Sequence, residues 1–89
     1  MAEGQPNEKH EKSYEIIVDG QARSVEHQTV TYDEITKIAY PDKAGNPDFT
    51  FVVIFRKAHD PKEGSLTEGG SVQVKQTGTI FNVTHSRLS

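Results

Sequence analysis

The chain has no cysteine, which excludes disulfides and thiolate metal sites and rules out a thioester on one of its own side chains. It also lacks a basic excess: 10 Lys and Arg are interspersed among 13 Asp and Glu, for a net charge of -3. Nucleic-acid binding calls for the opposite balance, gathered on one face. No apolar run approaches the roughly 20 residues needed to cross a bilayer, and the N-terminal stretch is too polar for a signal peptide. These absences predict a soluble, cytoplasmic protein. His10, His27, His59 and His85 lie far apart with no i, i+4 pair, so no zinc set is expected and surface histidines are. His59-Asp60 lacks a nucleophile to serve. Gly64, Gly69, Gly70 and Gly78 are not followed by the Lys and Ser or Thr of a phosphate-binding loop. Asn82 to Thr84 fits a glycosylation acceptor, but the residues read as strand and no secretory signal precedes them. Neither a cofactor nor a metal is expected, and no enzymatic constellation is visible.

With 89 residues the chain supports one domain, and a chain of this size buries only about 60% of its unfolded surface. Met1 to Ser13, "MAEGQPNEKHEKS", contains nothing apolar beyond Met1 and Ala2, too little to offset the entropy of ordering. A flexible tail over 1–13 is the expectation. From Tyr14 the pattern changes. "YEIIVDGQARSVE" places Asp19-Gly20 between two strand-forming runs, the strongest short-range hairpin signal. In "TYDEITKIAYPDK", Thr31 and Glu34 have capping-box spacing, and Tyr32, Ile35, Ile38 and Ala39 share one helical face. The helix should run from about Thr31 to Ala39 and stop ahead of Pro41, because the residue before proline is pushed out of the helical region.

"KAGNPD" is loop chemistry. "FTFVVIFRK" then sets Phe49, Phe51, Val53 and Phe55 on one face and Val52 and Ile54 on the other, so the strand is either covered twice or meets a partner. "AHDPKEG" reads as a second loop, Val72 and Val74 alternate along a short strand, Gly78 marks a turn, and "TIFNVT" opposes Phe81 and Val83 to Ile80. A hairpin, one crossing helix and further strands whose last can run parallel to the first describe an α+β fold, the β-grasp mixed sheet with its main helix packed across it. Its body spans 14–84, with 85–89 expected as a mobile C-terminal tail.

Gly69-Gly70 admits two readings, a reactive diglycine exposed by cleavage or a tight turn. Cleavage there would remove Val72, Val74, Ile80, Phe81 and Val83 from a core too small to lose them. The turn is the better account, with glycine supplying positive φ.

The segments "YEIIVDG", "TYDEITKIAYP", "FTFVVIFRK", "GSLTEGGSVQVK" and "GTIFNVT", in that order, resemble the bacterial multiubiquitin domain, a ubiquitin-like domain often found in tandem. The resemblance covers about Tyr14 to Ser86. It implies a protein modifier whose partners are a ubiquitin-activating-like enzyme, a conjugating-like enzyme and a metal-dependent deconjugating peptidase, acting as a monomeric handle without catalysis of its own. It further implies a C-terminal conjugation tail at Arg87, Leu88 and Ser89, with Ser89 where such a modifier has glycine. The terminus could be activated as it stands, trimmed first, or never conjugated. In that last case the domain is a noncovalent binding module, docking partners by the exposed sheet face or an edge strand. Truncation after Gly70 should leave an unfolded or insoluble chain, measured by circular dichroism and thermal melting; a cooperatively folded 1–70 fragment would restore the precursor reading.

Overall fold

A computed structural model describes residues 13–88. The expected N-terminal tail lies outside these residues except for Ser13, and so does Ser89. Strands β1 (Tyr14–Val18) and β2 (Gln21–Val25) pair antiparallel around Asp19-Gly20. Both turn residues adopt positive φ, 51° and 84°, the geometry that a two-residue hairpin with right-handed strand twist requires.

Strand β3 (Thr29–Thr31) runs directly into helix α1 (Tyr32–Ala39). The capping box forms as the spacing predicts: Glu34 N–H donates to Thr31 Oγ1 at 3.2 Å, and Thr31 N–H donates to Glu34 Oε1 at 3.0 Å. Both groups would otherwise stand unpaired at the helix start. The helix ends at Tyr40, whose N–H reaches Thr36 O at 2.8 Å, immediately before Pro41. Its inner face carries Ile35 into the core, with Tyr32, Ile38 and Ala39 packed beside it.

Strands β4 (Phe49–Arg56), β5 (Gly64–Leu66), β6 (Ser71–Gln73) and β7 (Thr77–Arg87) complete the chain. The main sheet has five strands in the order β2-β1-β7-β4-β5, while β3 and β6 form a separate pair. Strand β7 lies parallel to β1 and antiparallel to β4. This is a mixed sheet crossed by one helix, consistent with the β-grasp class expected from the sequence.

Three details differ from expectation. Strands β3 and β5 were not anticipated; each has only three residues, too few for an alternation to show. Both are held by partners distant in sequence, Val30 opposite Val72 and Val53 opposite Leu66. Gly78 is no turn between strands. It lies inside β7 with φ 92°, where the register against β1 shifts between Glu15 and Ile16, so glycine serves a bulge. Finally, pairing does not stop at Thr84: His85, Ser86 and Arg87 continue opposite Phe51, Thr50 and Phe49. That extension is polar and exposed, so nothing in its hydrophobic pattern announces it.

Gly69-Gly70 forms a turn. Gly70 N–H donates to Thr67 O at 2.8 Å, Gly69 takes φ 82°, and a Cβ on Gly70 would lie 2.9 Å from Thr67 O. Gly70 O in turn accepts Tyr32 N–H at 3.1 Å, tying the turn to the start of the helix.

The core gathers one face of the sheet: Ile16 and Val18 from β1, Phe81 and Val83 from β7, Val53 and Phe55 from β4, closed by Ile35, Val30, Val72 and Val74. Thr79, like Thr36 of α1, is a fully buried polar residue. Its hydroxyl accepts Lys75 N–H at 2.9 Å and donates to Lys57 O at 3.0 Å, joining two connections to the middle of the sheet. Thr79→Val keeps the shape and removes both bonds, so it should cost about 1–3 kcal/mol. Urea unfolding checks this against Thr77→Val at an exposed position, expected to fall within about 0.5 kcal/mol of the parent.

Candidate functional site

Strand β1 pairs with β7 only as far as Val18 opposite Phe81, and β5 meets β4 only from Val53 onward. Beyond those points Phe49–Val52 and Thr84–Arg87 have only each other. They form a two-stranded arm that carries the end of β7 past the rest of the sheet. Asp19 closes the junction, its Oδ1 accepting Val83 N–H at 2.8 Å where β1 has run out. At the tip, Leu88 N–H donates to Asp48 O at 2.7 Å.

Aromatic rings from α1 brace the arm on its inner side. Tyr40 meets the His85 ring edge-on at 4.6 Å and lies 5.9 Å from Phe51. Tyr32 stands edge-to-face with Phe51 at 6.4 Å, and Phe49 approaches His85 at 5.9 Å. Such pairs are each worth about 0.5–1.5 kcal/mol beyond area burial, enough to hold a ribbon that a purely polar pair of strands would not sustain.

Arg87 and Leu88, the described members of the expected conjugation tail, therefore sit side by side at the arm's tip, and both are exposed. Ser89 lies outside the described residues. His27, His59 and His85 are exposed as expected, although His85 is also a ring partner in the arm. Asp60 exchanges backbone bonds with Gln73, at 3.2 and 3.1 Å, which pins its loop. Asn82 and Thr84 lie on β7 with exposed side chains. Among the described residues no three His, Asp or Glu side chains gather to hold a metal ion, and no helix is long and apolar enough to cross a membrane.

The sheet face turned away from α1 carries an apolar patch. Val52 and Ile54 are 53% and 45% exposed, and half-buried Ile80 sits beside Ile17 on the neighbouring strand. Opposite Val52 and Ile54 stand only Thr84, Asn82 and Ser65. Of the two outcomes open to a strand apolar on both faces, cover is not supplied by the described residues.

Between the first turn of α1 and the β4 side of the arm lies a groove of about 360 Å3, lined by Tyr32, Asp33, Phe49, Phe51, Glu68 and Leu88 among others. The Tyr32 phenol is held above the ordinary tyrosine range, chiefly by burial, opposed by Phe51 N–H and reinforced by the negative charges of Glu68 and Asp33. Sequence reading did not single out this groove. Tyr32, Phe51 and Glu68 belong to three separate segments, and the pairing of Thr31 with Ser71 together with the Gly70–Tyr32 bond brings the last of them to the helix.

A family model described as Multiubiquitin matches residues 14–87. Neither the curated proteins nor the solved structures contain a match. The match spans both hairpin strands, the capped helix and the whole arm, and ubiquitin-like domains of this kind are typically non-catalytic and work through protein partners. The chain belongs to the multiubiquitin family.

Proposed function

We propose that this domain is a bacterial protein modifier, joined to its targets through the carboxylate that follows Arg87, Leu88 and Ser89. The observation that carries the reading is the two-stranded arm, which holds the end of the last strand away from the core. A carboxylate does not react with amines until one oxygen becomes a good leaving group. An ATP-dependent activating enzyme would supply this: the carboxylate attacks the α-phosphate and releases pyrophosphate. A thiol of the enzyme then displaces AMP, and a target amine displaces the thiol. A conjugating-like enzyme would carry the transfer, and a metal-dependent peptidase would reverse it. All three act in the cytoplasm, and the domain supplies the electrophile and a handle.

Such chemistry needs the end to enter a narrow site. Releasing Thr84–Leu88 from β4 breaks backbone bonds worth about 0.5–1.5 kcal/mol each and parts His85 from the Tyr40 and Phe49 rings, but it removes no buried residue, since Thr84 to Leu88 are all exposed. Peeling the arm is therefore compatible with an intact body. The noncovalent alternative is favoured by one specific feature, the exposed Val52–Ile54 patch, which gives a partner an apolar surface to cover whether or not the terminus reacts.

With the cognate activating enzyme and ATP, mass spectrometry should find an adenylate or a covalent enzyme adduct with the full chain and none after deletion of Arg87 to Ser89. Equal reaction of the shortened chain would refute the terminus assignment. If neither chain reacts while Val52→Ser with Ile54→Ser abolishes partner binding, the noncovalent module is the correct reading.

A further inference from the structure

The groove beside α1 has aromatic walls and charge of one sign. Tyr32, Phe49 and Phe51 supply the rings, and Asp33 and Glu68 are its only charged lining residues among those described. Neither carboxylate has a cationic partner among the described residues; the described ion pair joins Lys43 to Asp42 at 3.4 Å. Lys43 lies over the Phe49 and Tyr40 rings at 5.7 and 5.9 Å but does not line the groove. The pocket also runs along an unfinished sheet edge. Backbone groups alternate sides along a strand, and Phe49 N–H bonds Asn46 O at 3.1 Å on the side away from β7, so Phe49 and Phe51 turn their backbones toward this edge and the groove, with the Phe49 donor already taken. Strand β5 does not reach them, pairing only from Val53 onward.

A helix start ordinarily favours anions, and here that tendency is cancelled. Tyr32 N–H is taken by Gly70 O, and Glu34 N–H by Thr31 Oγ1. Asp33 in the first turn adds a negative charge to whatever dipole remains. What the walls leave unmet is a cation with a flat apolar face. Guanidinium fits better than ammonium, because it stacks on rings and donates along a plane, while ammonium is a compact and strongly hydrated charge.

We propose that this groove receives an arginine side chain from an extended segment of a protein partner. The segment lies along the open edge of β4, its guanidinium stacked among Tyr32 and Phe51 between the carboxylates of Asp33 and Glu68. This contact requires neither ATP nor a free terminus, so it stands or fails separately from conjugation. Because Leu88 forms part of the rim, the groove is complete only while the arm is paired.

N-acetyl-arginine amide, titrated into the full chain and followed by amide NMR, should saturably shift Tyr32, Asp33, Phe51 and Glu68. N-acetyl-citrulline amide, its neutral analogue, should bind about tenfold more weakly or worse, a difference of about 1.4 kcal/mol. Glu68→Gln, in a surface turn where folding is not at stake, should weaken arginine severalfold, as should Asp33→Asn, with the unshifted amides reporting that each variant is folded. Equal response to citrulline, shifts scattered over the surface, or full binding by Glu68→Gln would overturn the proposal. So would shifts in the free chain that grow with its concentration and vanish in Arg87→Gln, since the occupant would then be a second copy.

Discussion

The parallel pairing of β1 with β7 is the constraint on which the rest depends. It joins residues near the start of the fold to residues at its end, Ile16 opposite Thr79 and Val18 opposite Phe81, and places the last strand at the centre of the sheet. Loop closure over that separation is entropically costly before any contact offsets it, so the core cannot assemble until β7 is present. Phe81, between Val18 of β1 and Phe55 of β4, then becomes the point where both halves of the chain meet. The same topology explains why the glycine pair in the middle of the chain serves as a turn: everything after it is structural.

A central strand longer than its neighbours has a second consequence. Its far half must find other support, and three devices provide it. Asp19 closes the edge that β1 vacates, β4 continues alongside, and the rings of Tyr32 and Tyr40 brace the inner face. The arm is thus fastened by bonds and ring contacts rather than by deep burial. Regions with exposed backbone bonds and little buried apolar area open most readily, which suits a segment that must be ordered in one setting and released in another. The Val52–Ile54 patch and the Tyr32 groove flank this arm on opposite faces of β4, so the end of the chain and both surfaces for partners are gathered on one half of the molecule.

Elements whose signals are local were legible in the sequence. Asp19-Gly20 can hardly be anything but a tight hairpin, since both residues must accept positive φ. Thr31 with Glu34 names the start of the helix and Pro41 its end, each through interactions within a few residues. The double-faced apolarity of β4 was readable as well, together with the alternatives it posed. Gly78 was misread as a turn because a bulge and a turn make the same demand on the backbone.

The sequence by itself determined the order of the principal strands and helix, most of the residues that fill the core, Ile80 excepted, and the family to which the chain belongs, because periodicity, capping and turn chemistry act over short range. Only the tertiary structure decided the short strands β3 and β5, the continuation of β7 to Arg87, the exposure of Val52 and Ile54, and the meeting of Tyr32, Phe51 and Glu68 in one groove. Each of these depends on a partner far away in the chain. A polar stretch such as His85–Arg87 becomes a strand because Phe49–Phe51 lies beside it, and no property of its own residues contains that fact.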